Sequence, residues 1–101
     1  MKRAVFRRQA TLDIDLALDY YLEEASHVAE DFRDEVVRAI EHIQSNPGTG
    51  SPRYGKLLEM TGLRHWPLSR FPYSIFYLDK RVQLDVLRLL HQKSDIPVHL
   101  Q

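Results

Sequence analysis

Apolar positions change their period once along the chain, and the change divides it into a helical half and a stranded half. From Thr11 the apolar residues Ile14, Ala17, Leu18, Tyr21, Leu22 and Ala25 recur at i, i+3, i+4, which predicts an amphipathic helix. Thr11 suits its N-cap, and Asp13 and Asp15 suit the positive end of its dipole. Ser26 marks a break. A second helix follows with Phe32, Val36, Ala39, Ile40 and Ile43 on one face, and Asn46-Pro-Gly-Thr-Gly-Ser-Pro52 stops it. So short a connection makes the pair an antiparallel hairpin.

After Pro52 the period is two. Leu63 to Leu68 predicts a strand that Pro67 moves toward an edge or a bulge. Tyr73 to Leu78 predicts a second, with Tyr73, Ile75 and Tyr77 on one face and Ser74, Phe76 and Leu78 on the other. Asp79-Lys-Arg81 is a turn, and Val82 to Leu90 a third strand whose Val82, Leu84, Val86 and Leu90 should meet the helices. Ala4-Val5-Phe6 adds a short strand at the N-terminus. The expected fold is α+β: a helical hairpin packed on one face of an antiparallel sheet. Arg64, Arg70, Arg88 and His91 fall among the strands, and charge is costly to bury unpaired, so they should line an open sheet face or rim.

A chain of 101 residues, 44% hydrophobic and 28% charged, is expected to form one globular domain over residues 1–101. No apolar run approaches the roughly 20 residues that span a bilayer. The apolar part of Met-Lys-Arg-Ala-Val-Phe-Arg-Arg is too short for a signal peptide, and a cytoplasmic protein is expected. Without cysteine there is no disulfide or thiolate site. The net charge of zero conceals segregation. Residues 1–10 carry four bases, residues 11–46 ten acids against Arg33 and Arg38, and residues 47–101 eight bases against four acids. Acidic helices on basic strands would give the molecule one cationic face.

The order strand, two helices, Pro-Gly stop, three-stranded meander resembles the RelE/ParE superfamily of toxin–antitoxin toxins. The motifs that carry it run through nearly the whole chain: Asp13-Ile14…Ala17…Tyr20, Ala29…Phe32, Asn46-Pro47…Gly50, Gly62-Leu63-Arg64, Phe71-Pro72-Tyr73…Ile75-Phe76-Tyr77, and Val86-Leu87-Arg88-Leu89-Leu90-His91 with Asp95 beyond. The Phe-Pro-Tyr and Leu-His pieces look more like the ParE branch of plasmid stabilisation proteins. That resemblance implies a toxin held inactive by a cognate antitoxin and directed at DNA gyrase. The RelE branch would instead imply a ribosome-dependent mRNA endoribonuclease. Fold alone does not separate the two.

A nuclease of this kind needs a base, an acid and cations for the phosphorane charge. Arg64, Arg88 and His91 are the candidates, with Arg53 or Lys56 assisting, a thin set for that chemistry. Arg88 and His91 are three apart and point to opposite faces of a regular strand, unless a bulge intervenes. Either residue could instead be structural, Arg88 paired to an acid of the helical layer and His91 bonded to backbone at the strand end. No catalytic residues are therefore expected for a ParE-like protein. Partner binding is assigned to Arg64, Trp66, Tyr73, Tyr77, Asp95 and Ile96, with Leu100 a further candidate in the tail. The acids of the first helix read as a solvated face. The five histidines show no metal-binding spacing, and no nucleotide motif is present, so neither metal nor cofactor is expected.

Overall fold

The computed structural model describes residues 1–100; Gln101, the last residue of the expected domain, lies outside them. A four-stranded sheet forms the middle layer, in the order β1-β4-β3-β2, from β1 (Arg3–Phe6), β2 (Leu63–Pro67), β3 (Tyr73–Asp79) and β4 (Gln83–His91). The meander pairs antiparallel as the alternation implies, whereas β1 docks parallel beside the last strand, Arg3 opposite Gln83 and Phe6 opposite Val86. Helices α1 (Arg8–Glu24) and α2 (Ser26–Ser45) turn at Ala25 and form the hairpin on one face. Gly62 opens β2 at φ 84°, where a Cβ would stand 3.0 Å from the Asp79 carbonyl oxygen, so only glycine lets the two strands close.

The helix does not begin at Thr11. Arg7 still donates its N–H to the Val86 carbonyl and serves as an extended N-cap without a side-chain cap, so α1 starts at Arg8. Strand pairing ends there, and the chain passes straight into the helix that buries Ala10 and Ala17. Between the hairpin and the sheet lies the main core, with Phe32, Ile43, Ile75, Tyr77, Leu84 and Val86 almost fully buried. Tyr21, Phe32, Phe71 and Tyr73 form an aromatic cluster within it, with ring centroids 5.1–5.8 Å apart and mostly edge-on, the preferred geometry for such pairs.

A bulge on β4 corrects the expected facing of that strand. Phe76 pairs with Arg88 but Tyr77 pairs with Val86, leaving Leu87 as the extra residue. Leu84, Val86 and Leu89 therefore face the hairpin, whereas Leu90, expected there too, turns to the opposite face; Val82 stays outside in solvent. That opposite face is not open. Two short helices absent from the periodicity, α3 (Arg53–Leu57) and α4 (Ile96–Leu100), bring Tyr54, Ile96 and Leu100 over Phe76 and Leu90 in a small second core. Among the described residues no helix is long and apolar enough to cross a membrane.

Two bases of the N-terminal block, Lys2 and Arg7, pair against the sheet. Lys2 bonds Asp79 at 2.7 Å, while buried Asp85 accepts from Lys80 at 2.7 Å, Arg7 at 2.8 Å and Gln83 at 2.7 Å. Lys80 first, then Arg7 and Gln83, hold the Asp85 carboxyl far below its ordinary value of 3.8, against the upward push of burial. A carboxyl depressed in the folded state stabilises fully above its unfolded value, and the contribution is lost as pH falls through 3.8 toward the folded value. Urea midpoints should therefore fall between pH 5 and pH 3, and Asp85→Asn should flatten that slope. An identical slope in the variant would show that other carboxyls govern acid unfolding.

Candidate functional site

The charged and phenolic site residues Arg64, Tyr77, Arg88 and His91 each have a definite bonding environment. Arg64 on β2 reaches the loop after α2, where its Nη1 donates to the carbonyls of Gly50 at 2.8 Å and Gly48 at 3.2 Å. Tyr77 holds the same loop from below, donating its hydroxyl to the Pro47 carbonyl at 2.7 Å and accepting the Gly50 N–H at 3.1 Å. A Cβ on Gly50 would lie 2.6 Å from the Tyr77 hydroxyl, so the knot requires glycine. Burial raises the Tyr77 pKa, and the neutral phenol keeps both its donor and acceptor roles.

Arg88 makes a different junction. Its Nε and Nη2 clasp the Asp13 carboxylate of α1 at 2.7 and 3.1 Å, and its Nη1 donates to the His99 carbonyl of α4 at 3.2 Å. The Leu89 N–H donates to the same carboxylate at 3.1 Å. Asp13 is thus no part of a solvated acidic face, and its bonds, before the cost of burial, raise the Arg88 pKa. His91 ends β4 with its ring edge-on to Tyr73 and its Nδ1 accepting the Lys93 N–H at 3.1 Å. Arg64, Arg88 and His91 share no neighbour: one binds a loop, one a helix pair, one the strand end. The bulge that could have brought the last two together instead turns Arg88 toward α4.

Of the expected partner residues, Trp66 is half-buried with its indole 4.8 Å from the His42 ring, beside a groove between α2 and β2 that Glu35 and Arg70 also line. Tyr73 is half-buried against Phe32, and Asp95 is exposed. Tyr77, with no exposed surface, and Ile96, at 5%, cannot meet a partner directly; packing in the two cores uses both. Two features escaped the sequence reading. Leu12, Leu16 and Tyr20 form an exposed stripe along α1, Leu16 at 68%, with spacing i, i+4, i+8 that was there to be read. Buried Glu35 accepts the N–H groups of Ser69 and Arg70, the Ser69 hydroxyl and Arg70 Nε. Burial pushes its carboxyl up, but those donors outweigh it and leave the pKa lowered.

The family model described as ParE toxin of type II toxin-antitoxin system, parDE, matches residues 4–96. The chain belongs to the ParE toxin family. A solved structure titled "Chromosomal ParDE TA system from P. aeruginosa" is similar to it, with a TM-score of 0.73 and 26% identity, over 90% of this chain and 96% of that one. A comparison with curated proteins returns no match. The ParE-like motifs map onto the junctions above: Gly50 and Tyr77 onto the loop knot, Asp13 and Arg88 onto the ion pair, Phe32 and Tyr73 onto the aromatic cluster.

Removing one partner of a largely buried pair strands the other charge, which costs about 3 kcal/mol or more. Asp13→Ala should therefore lower the urea midpoint strongly, and Asp13→Asn, which can still accept from Leu89, should lower it less. Equal midpoints for wild type and Asp13→Ala would mean that the clasp contributes nothing.

Proposed function

We propose that this chain is the toxin of a type II toxin–antitoxin pair, that it acts in the cytoplasm on DNA gyrase, and that it inhibits by binding rather than by cutting RNA. Membership of the ParE family over residues 4–96 is the observation that carries the reading. The dispersal of Arg64, Arg88 and His91 supports its second half. A phosphoryl-transfer site needs an acid, a base and cations converging on one phosphate, and these three side chains are each engaged by a different part of the backbone or by Asp13. The proposal treats residues 1–101 as one toxin domain, in keeping with a main core that runs from Ala10 to Leu89.

The cognate antitoxin is the second partner. Its surface in this proposal starts on the exposed stripe of Leu12, Leu16 and Tyr20 and continues past Tyr73 to Trp66 and Arg64, with Asp95 at its margin. Exposed leucines at helical spacing suit an amphipathic helix laid along α1. A stable complex buries about 1,200 Å² or more, which asks for such a wrapped contact on a domain of this size.

Purified toxin should stop gyrase supercoiling and accumulate cleaved DNA complexes, and the antitoxin should reverse both. Unimpaired supercoiling at micromolar toxin would sink the gyrase reading. Leu16→Glu changes a side chain that is 68% exposed, so the fold should be untouched while the antitoxin dissociates at least tenfold faster in surface-binding kinetics. An unchanged dissociation rate would move the antitoxin off α1.

A further inference from the structure

The second face of the sheet carries one group that the fold leaves unexplained. His65 Nδ1 is buried and has no hydrogen-bond partner. The His65 ring stacks on Phe76 at 5.3 Å, with interplanar angle 21°, and meets the Tyr54 ring edge-on, also at 5.3 Å. Burial, then the nearby Arg53 charge, lowers its pKa, so the ring is neutral near pH 7.

This ring lines a pocket of about 290 Å³ with Tyr54, Ser74, Phe76, Gln92 and Ile96. Gln92 Nε2 donates to the Tyr73 carbonyl, which leaves its amide oxygen free to accept. The Ser74 hydroxyl has no protein partner among the described residues. Aromatic walls with an imidazole, one amide acceptor and one hydroxyl suit a flat, heteroatom-rich ring better than an aliphatic side chain. The segments that carry Tyr54 and Gln92 add charge. Arg53, whose guanidinium lies over Tyr54 at 5.4 Å, Lys56 on α3 and Lys93 after β4 are exposed, with no carboxylate partner among the described residues. Asp95 and Glu59 are the acids of those segments.

We propose that this pocket binds one unpaired nucleotide of a nucleic-acid strand, its base against Tyr54 and its flanking phosphates on Arg53 and Lys93. Stacking on an aromatic ring tolerates any base, and lysine and arginine supply the phosphate contacts. The site lies across the sheet from the α1 stripe. It is a property of the free toxin and stands or falls apart from the gyrase reading.

The test is fluorescence anisotropy of the full-length toxin with short labelled oligothymidylate, oligouridylate and duplex DNA. Saturable single-strand binding in the micromolar range is expected, weaker as salt rises. Tyr54→Ala should weaken it by roughly 5- to 100-fold, the loss of one stacked base, and Tyr54→Phe should restore it. Arg53→Glu should weaken binding and flatten its salt dependence, and Arg53→Gln, which can still lie over Tyr54, should keep more of the binding. Asp95→Asn should tighten it. Arg81→Glu, on the distant β3–β4 turn, should do nothing. The tighter of the two single strands identifies the polymer as DNA or RNA. No saturable binding to either single strand, duplex binding as tight as single-strand binding, or equal losses from Arg53→Glu and Arg81→Glu would each overturn the proposal.

Discussion

The clasp between Asp13 and Arg88 is the polar junction at which α1, β4 and α4 meet. β1 covers β4 only as far as Val86. Beyond it the outer edge of β4 has no strand neighbour, and an open edge is a template for unwanted pairing. Asp13 takes the place of the missing strand, accepting the Leu89 N–H as a ladder carbonyl would. The same carboxylate grips Arg88, whose remaining nitrogen holds α4. One carboxylate thus pins α1 to β4 and, through one guanidinium, α4 to the second face. The β4 bulge makes this possible, because it turns Arg88 away from the main core, where a charge paired only once would be costly.

Charge segregation along the chain looks different once folded. The acidic helical block and the basic strand block do lie in separate layers, but their partly buried members cancel in pairs: Asp13 with Arg88, Glu35 with Arg70. At the N-terminus Lys2 and Arg7 cancel against Asp79 and Asp85, and Arg3 and Arg8 stay exposed. What remains unpaired is peripheral, acids on the outside of the hairpin and cations such as Arg53, Lys56 and Lys93 around the second face. The molecule keeps a dipole, but one made of rim residues rather than of opposed faces.

The helical hairpin, the meander and the facing of β3 were legible because each buries one side, and burial imposes a period on the sequence. What was not legible shares a different cause. The parallel docking of β1 depends on two segments nearly eighty residues apart, which no local period records. A bulge breaks the alternation that defines a strand, so Leu90 was assigned to the wrong face. α3 and α4 are five residues each, less than two turns, too short to show a helical repeat. Of the site residues, Arg88 does pair with an acid of the helical layer and His91 does bond to backbone at the strand end, both readings open in the sequence, whereas the use of Arg64 and Tyr77 shows only in the loop they secure.

That explanation changes where function can reside. Side chains that hold the Pro47–Gly50 loop, the β4 edge and the β2–β3 turn have little bonding capacity left over for a ligand or a target. Two surfaces with capacity to spare lie on opposite sides of the sheet. One is the leucine and tyrosine stripe of α1, which a monomer in water gains nothing by exposing. The other is the rim of the second face, where cations stand without counter-ions beside an aromatic pocket. Two such surfaces separated by the sheet leave one open when a partner covers the other. Neutralisation across that sheet then requires either a partner long enough to reach both sides or a change relayed through the Asp13–Arg88–α4 junction, the bonded path described above between them.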